Sequence, residues 1–232
     1  MTEPVDPARV GVFISTYNRG PYTQRSLDSL AAHPPDARAV ITLVDDASAD
    51  FGVDAVAALE RLRAAHPRTR VLKNATNRGI TRVVHQFVEL AGIFKLTHLY
   101  ITDNDVIYAD GWFDELLACY DYLAARNPRA VATCLNVPKH DARRDAATSD
   151  RFVERASLGG ASWFVALETM RELLTPDIET EWDVRCVARL HALGGIIGTT
   201  RRSFVQHIGR FGLHSHGGHD RGIDFLDERR AP

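Results

Sequence analysis

The stretch HLYITDNDVIYADGW, residues 98–112, joins a short apolar run directly to Asp103, Asn104 and Asp105. An apolar run of this length, ended by turn-forming residues, is typical of a buried strand. In an extended backbone the side chains of residues i and i+2 point to the same side, so Asp103 and Asp105 can face one cleft. The stretch therefore predicts a strand whose carboxyl end carries two carboxylates.

Three similar apolar runs precede this one, and a polar loop and a helical pattern follow each of them. The predicted strands are residues 10–15, 39–44 and 70–73, and the predicted helices are residues 22–32, 53–65 and 81–91. Strands that alternate with helices in this way form parallel sheets with crossover helices. We therefore expect an α/β fold with a Rossmann-like, mostly parallel sheet flanked by helices.

Polar residues follow each of the four strands: TYNR at 16–19, DD at 45–46, NRG at 77–79 and DND at 103–105. In open parallel sheets, ligands bind in the crevice outside the carboxyl ends of the strands. Acids, amides and hydroxyls gathered at that edge predict a polar cleft that suits a nucleotide.

The second half of the sequence is less regular. It predicts strands at residues 130–134 and 204–207, an aromatic strand after Gly159 and Gly160, and helices at residues 167–174 and 183–193. The sequence contains no internal repeat and no low-complexity segment. We therefore expect a single domain over residues 1–232, with loose termini at 1–9 and from about 221 to 232.

The composition excludes several classes of protein. With 45% hydrophobic and 25% charged residues, the chain is not disordered throughout, and its net charge of −2 gives no global attraction to nucleic acid or anionic lipid. The three cysteines are widely spaced and form no CxxC pair, which argues against a disulfide framework and a thiolate zinc site. We see no signal peptide and no transmembrane segment, and expect a cytoplasmic protein. The oligomeric state stays open.

The carboxylates Asp103 and Asp105 have two interpretations. Hard divalent cations such as Mg²⁺ or Mn²⁺ take oxygen ligands and often combine one or two carboxylates with substrate phosphates. A bound cation would also neutralise the charge that grows on a departing diphosphate. Alternatively, the two residues form a solvated turn, since aspartate favours bends.

Other polar residues at the strand ends are open to similar alternatives. Asp45 or Asp46 can accept an N–H of a nucleobase, or both can cap the turn that follows. Tyr17 can stack on a base or stand at the rim of the cleft. Arg78 and Arg82 lie at a helix start, a place that suits a diphosphate, although arginines on helices are usually solvated.

Histidines concentrate near the end of the chain, at His207 and in the tract HSHGGH at 214–219. Neutral imidazole binds transition metals, and Mn²⁺ accepts mixed oxygen and nitrogen ligands. Tracts of this composition are equally often mobile polar tails. The pattern allows either a metal patch or a tail.

Taken in order, VGVFISTYNRG (10–20), VDDASAD (44–50), NRG (77–79) and YITDNDVIYADGWFDEL (100–116) resemble a family 2 glycosyltransferase of the GT-A fold. The resemblance covers residues 10–210. It continues in SLGGASWFVALETMREL (157–173), EWDVRCVARL (181–190) and VQHIG (205–209), which form the irregular, acceptor-side half of that fold.

The resemblance implies roles for the residues that match its motifs. The donor nucleotide sugar would be bound by residues from the strand ends and the Gly-Gly segment: Ser15, Tyr17, Asn18, Asp45, Asp46, Arg78, Arg82, Asp103 and Gly160. Asp105 is implied as the direct metal ligand, and His207 as its partner, with His214 as second choice. Asp183 matches the catalytic base and is followed six positions later by Arg189; Glu181 is the alternative base.

The activity implied is transfer of a sugar, with inversion, from a nucleotide-diphosphate sugar of the UDP, GDP or dTDP type to an acceptor hydroxyl. The acceptor can be a saccharide, a small molecule or a lipid-linked molecule, and Mn²⁺ or Mg²⁺ assists.

Two alternatives remain. A sugar-nucleotide pyrophosphorylase would carry a Gly-rich phosphate loop with a lysine after the first strand, which TYNRGP does not supply. A non-catalytic nucleotide-sugar-binding module would bind the donor without hydrolysing it. Trp112, Trp163 and Trp182 are candidates for the wall of an acceptor groove, although ordinary core packing fits Trp112 better, since it lies at the start of an amphipathic helix.

Overall fold

The computed structural model describes residues 3–138, 140, 149–209 and 222–225. Within these ranges, the strands are β1 Val10–Thr16, β2 Val40–Asp45, β3 Thr69–Lys73, β4 His98–Asp103, β5 Val106–Tyr108, β6 Ala130–Thr133, β7 Phe152–Arg155, β8 Ser162–Ala166, β9 Ile196–Thr200 and β10 Val205–His207. The α-helices are α1 Gly20–Ala32, α2 Val53–Ala65, α3 Ile80–Ile93, α4 Trp112–Ala124, α5 Leu167–Leu173 and α6 Trp182–Ala192.

Eight strands form one sheet in the order β3-β2-β1-β4-β8-β6-β9-β7. The strands β3, β2, β1 and β4 are mutually parallel, as the alternation of strands and helices predicts. Strand β8 is antiparallel to both β4 and β6, whereas β6 and β9 are parallel. The expected α/β fold with a mostly parallel sheet is therefore confirmed. The strand order reverses at β1, which opens a crevice between the carboxyl ends of β1 and β4.

Helices cover both faces of the sheet because the central strands are apolar on both sides. In β1, Val12 and Ile14 pack with the apolar sides of α1, α2 and α4, while Phe13 packs with α3, α5 and α6 on the opposite face. The ring of Phe13 lies 5.2 Å from that of Phe87 on α3. The two cores hold the sheet on both faces. The carboxyl ends of the strands therefore have fixed positions along one edge of the sheet.

The three tryptophans belong to these cores. Trp112 packs between Tyr100 and Tyr108, with ring centroids 5.1 and 4.8 Å away, and Trp163 lies 4.9 Å from Trp182. Their relative exposures are 1%, 0% and 3%, in sequence order. The suggestion that they line an acceptor groove is therefore wrong, because their aromatic faces are covered by protein.

The regular elements of the second half are shorter than those of the first. Sequence analysis did not identify β5, β7 and β9, which contain only three to five residues each. The start of the chain is tied down from Val5, whose N–H donates to Asp121 Oδ1 on α4 at 3.2 Å. The three cysteines are free and buried. None of the helices in the described ranges is long and apolar enough to cross a membrane.

His98 lies half-buried at the start of β4, stacked on the ring of Phe164 at 5.5 Å with Tyr120 edge-on at 5.0 Å. Burial, together with the charge of Arg9, lowers the pKa of His98 to about 4. The folded protein therefore holds this imidazole neutral, whereas the unfolded chain takes up a proton at ordinary values near 6.5.

We expect acidification from pH 7 to pH 5 to destabilise the protein through His98. Between pH 6.5 and pH 4 the unfolded state binds the proton and the folded state does not, so this stabilisation is present above 6.5 and is lost as the pH falls. The loss at pH 5 is about 2 kcal/mol. Urea denaturation should show a smaller difference between pH 7 and pH 5 for His98→Gln than for the wild type. An equal difference would contradict the assignment.

Candidate active site

Asp103, Asn104 and Asp105 follow one another at the end of β4, and their side chains point in two directions. Asp103 Oδ1 accepts a hydrogen bond from Ser15 Oγ at 2.8 Å, across the crevice between β1 and β4. The intervening Asn104 points the other way, and its Nδ2 donates to Thr16 Oγ1 at 3.1 Å and to Thr23 Oγ1 at 2.7 Å. Asn104 thus pins the strand end beneath α1, while the aspartates on either side face the crevice.

Asp105 is the most enclosed carboxylate of the site, with a side-chain exposure of 3%. Its Oδ2 accepts from Arg19 Nη1 at 2.6 Å, and its Oδ1 lies 3.2 Å from His207 Nε2 at the end of β10. Strand β10 is positioned by antiparallel pairing with β5, which directly follows Asp105 in the chain. The fold therefore brings Asp105 and His207 together, as the sequence analysis expects of a metal-binding pair.

The two carboxylates differ in their affinity for protons. Burial, and then the neighbouring charge of Asp105, raise the pKa of Asp103 to about 6. Burial acts in the same direction on Asp105, but the close approach of His207 and Arg19 outweighs it and lowers the pKa of Asp105 below its ordinary value. The charge of Asp183 adds to the shift of Asp103, so Asp183 lies within electrostatic reach of this strand end.

The loop between β1 and α1 holds an unusual backbone. Asn18 and Arg19 both adopt left-handed conformations, with φ of 54° and 61°. The loop between β2 and α2 fixes them, since Asn18 N–H donates to Ser48 Oγ at 2.7 Å and Ala49 N–H donates to Asn18 Oδ1 at 3.1 Å. Such residues cost of order 1–3 kcal/mol each and cluster at functional sites. Tyr17, just before them, is 42% exposed at the rim.

Asp45 serves its own loop at the end of β2. Its carboxylate accepts from the N–H of Ser48 at 3.1 Å and from the Ser48 hydroxyl, and Lys73 Nζ lies 3.6 Å away. These are the contacts of a turn cap, one of the two roles that the sequence allows.

Asp46 reaches across to the loop before α3. It accepts from Asn74 Nδ2 at 2.8 Å and from the backbone N–H groups of Arg78 and Gly79 at 2.9 and 2.8 Å. The arginine side chains at this helix start lie outside this network: that of Arg78 is exposed, and Arg82 pairs with Glu179 at 2.8 Å.

Asp183 lies in the first turn of α6, close to the Gly-Gly segment before β8. A Cβ on Gly160 would lie 3.4 Å from Asp183 Oδ2, so the two residues are in contact range. Strand β8 begins beside the end of β4, where Thr102 Oγ1 donates to Ala161 O at 3.0 Å. Asp183 therefore lies at the same edge of the sheet as Asp103, one strand away.

The other candidates around α6 are placed differently. Glu181 is exposed, in a left-handed conformation with φ of 50° just before the helix. Arg189 Nε donates to Glu172 O at 2.7 Å and so fastens α6 to the end of α5. Its position in the motif thus reflects a contact between helices. His214 lies outside the described residues.

Sequence reasoning missed the residue that pairs with Asp105. Arg19 belongs to the quoted TYNRG segment but received no role, because its partner is 86 positions away along the chain. Asn104 was likewise passed over between two aspartates. Asn104 and Asp105 form the turn between β4 and β5, so the alternation of side chains along a strand could not have indicated where Asn104 points.

Comparisons with known proteins find relatives of this architecture. Residues 11–171 match the family model described as Glycosyl transferase family 2. No curated protein matches the chain.

Two solved structures illustrate the likeness in fold. GalNAc-T7 with UDP, GalNAc and Mn²⁺ is similar with a TM-score of 0.69 at 18% identity, covering 91% of this chain and 46% of that chain. The mannosyltransferase PcManGT from Pyrobaculum calidifontis, in complex with GDP-Man and Mn²⁺, is similar with a TM-score of 0.55 at 20% identity, covering 91% of this chain and 61% of that chain. This chain thus spans less than two thirds of either structure. The likeness confirms the GT-A fold.

We expect Asn104→Asp to destabilise the protein by about 1–3 kcal/mol or more. A carboxylate at position 104 cannot donate to the carbonyl oxygen of Asn18, and it adds a third acid beside Asp103 and Asp105. Urea denaturation measures the loss. Gln24→Glu on α1, a partly exposed position, makes the same change in charge and is the control. An equal, small effect of both variants would show that Asn104 does not hold the strand end.

Proposed function

The chain belongs to glycosyl transferase family 2, and we propose that it transfers a sugar from a nucleotide-diphosphate sugar to an acceptor hydroxyl, with inversion at the anomeric carbon and with the help of a divalent cation. The observation that supports this most directly is the common edge of the sheet where Asp103, Asp105 and Asp183 lie. Asp183 lies in the first turn of α6, and the other two carboxylates lie at the end of β4. A donor held between them would have acids on two sides.

Asp183 is the proposed general base. Inversion in a single displacement requires a base on the face of the sugar opposite the leaving diphosphate. Asp183 is half-buried in the first turn of α6. Gly160 packs against it, so the carboxylate lies beside the backbone of the Gly-Gly segment.

The residues around Asp105 fit a divalent cation. Asp105 Oδ1 is buried, and the imidazole Nε2 of His207 lies 3.2 Å from it. An oxygen and a nitrogen of this kind are ligands that Mn²⁺ accepts. Within the described ranges, no three His, Cys, Asp or Glu side chains form a group that could hold a metal. The remaining ligands would then come from the diphosphate and water. When bound, the cation would neutralise charge on the leaving diphosphate.

We assign the nucleoside part of the donor to the side of the crevice opposite the proposed metal site. Tyr17 is exposed there and offers a ring on which a base can stack. Asn18, Ser15, Asp45 and Asp46 are engaged in hydrogen bonds with the protein, so their part in donor binding is to shape the loops around it. The exposed guanidinium groups of Arg78 and Arg82 are the candidates for contact with phosphate.

Membership of the family supports transfer over the two alternatives. A pyrophosphorylase would carry a glycine-rich loop after β1, whereas this chain places the left-handed residues Asn18 and Arg19 there.

A thermal-shift screen is the first test of the proposed donor. We expect one or more of UDP-, GDP- and dTDP-sugars to raise the melting temperature in the presence of Mn²⁺, since a ligand that binds only the folded state stabilises it. Hydrolysis of the stabilising donor, measured by release of the nucleoside diphosphate, should follow. A complete absence of stabilisation and of hydrolysis across all three nucleotides would refute the proposal.

Asp183→Asn tests the base. Removal of a single general base should lower kcat by about 10²–10⁴-fold, while donor affinity, measured by calorimetry, stays close to the wild type. Glu181→Gln is the matched control, because Glu181 is exposed only two residues away and loses the same charge. If Glu181→Gln lost activity and Asp183→Asn kept it, the two acids would exchange roles. Retention of activity in both would exclude a base at this helix.

A further inference from the structure

We propose that Arg19 is a positioning residue for the metal site: it holds Asp105 Oδ2 so that Oδ1 is presented beside His207 Nε2 as a ligand. The inference rests on the proposed function, because it assumes a cation at Asp105. It adds a residue from the β1–α1 loop to the determinants of metal affinity. This residue also forms a contact between the ends of the first and fourth strands.

The two oxygens of Asp105 lie in different surroundings. Oδ2 accepts a hydrogen bond from Arg19 Nη1 at 2.6 Å, and the backbone of Gly209 packs against the same oxygen so closely that a Cβ at position 209 would overlap it. Oδ1 is buried and lies 3.2 Å from His207 Nε2. One oxygen is thus sealed by protein, and the other is the candidate ligand.

Arg19 is itself held firmly enough to orient a neighbour. Its left-handed backbone is fixed in the loop that Ser48 and Ala49 tie down through Asn18, and its guanidinium lies 4.4 Å from the ring of Tyr22. The Nε and Nη2 groups are buried and find no hydrogen-bond partner among the described residues. The ion pair with Asp105 is therefore the polar contact that compensates the burial of this guanidinium, and rotation of either side chain would break it.

A carboxylate that ligates a metal is usually oriented by a hydrogen bond to its other oxygen, and removal of such a partner typically weakens metal binding 10–100-fold. A different role for Arg19 would change the Mn²⁺ affinity in the opposite direction. If Arg19 merely repelled or competed with the cation, its removal would strengthen metal binding. The sign of the change in Mn²⁺ affinity therefore separates positioning from competition.

The test is titration of the protein with Mn²⁺, with binding measured by calorimetry and by the loss of the EPR signal of free Mn²⁺. Each titration contains whichever of UDP, GDP or dTDP stabilises the wild type most. We expect Arg19→Gln to bind Mn²⁺ 10–100-fold more weakly than the wild type. Arg19→Lys should recover part of the loss in affinity. Lysine keeps the positive charge of arginine but lacks the planar guanidinium group that fits a carboxylate. Arg25→Gln removes the same charge from an exposed position of α1 and should leave the affinity unchanged.

The outcomes are distinct. Equal or tighter binding of Mn²⁺ by Arg19→Gln overturns the inference while the proposed metal dependence stands. Absence of Mn²⁺ binding by the wild type refutes the metal site itself, and the inference with it. Circular dichroism establishes that each variant folds. If Arg19→Gln does not fold, Arg19→Lys decides the matter, since it keeps the charge without the planar fork and should still bind Mn²⁺ more weakly than the wild type; an unchanged affinity there overturns the inference.

Discussion

Two carboxylates buried two residues apart at the end of one strand impose the main constraint on this molecule. Their mutual repulsion and their loss of hydration both oppose ionisation, and a fold that retains them must provide donors and positive charge. Here each provider comes from a different part of the chain. Ser15 from β1 serves Asp103, while Arg19 from the loop before α1 and His207 from β10 serve Asp105. The site is consequently a meeting point of elements that are remote in sequence, and its geometry depends on the whole sheet.

The first half of the fold could be predicted because its strands are continuous apolar runs punctuated by polar loops. The repeated strand–loop–helix pattern predicts parallel strands, and parallel strands place DD, NRG and DND at one edge; the order β3-β2-β1-β4 comes from the structure. The second half could be predicted only in part. Strands β5, β7 and β9 pair with distant partners whose identity no local pattern contains.

The site shows a similar division. Sequence reasoning found the residues whose chemistry is conspicuous, such as Asp105, Asp183 and His207, and the fold brings them to one edge. It did not find how they are supported. The neighbours Asp45 and Asp46 illustrate why: one caps its own turn through Ser48, and the other holds the backbone of Gly79 on a different loop. A difference of one position in the chain directs two identical side chains to separate tasks, and only the three-dimensional arrangement of the loops decides which is which.

The small ribbon of β5 and β10 has a consequence for how the sequence can vary. Only three residue pairs join the two strands, with His207 opposite Val106, immediately after Asp105. Because side chains alternate along a strand, a shift of register by one position would turn the imidazole to the other face. An insertion or deletion within this ribbon would therefore move His207 away from Asp105. Related sequences that keep this chemistry should keep the three residue pairs of the ribbon at constant length.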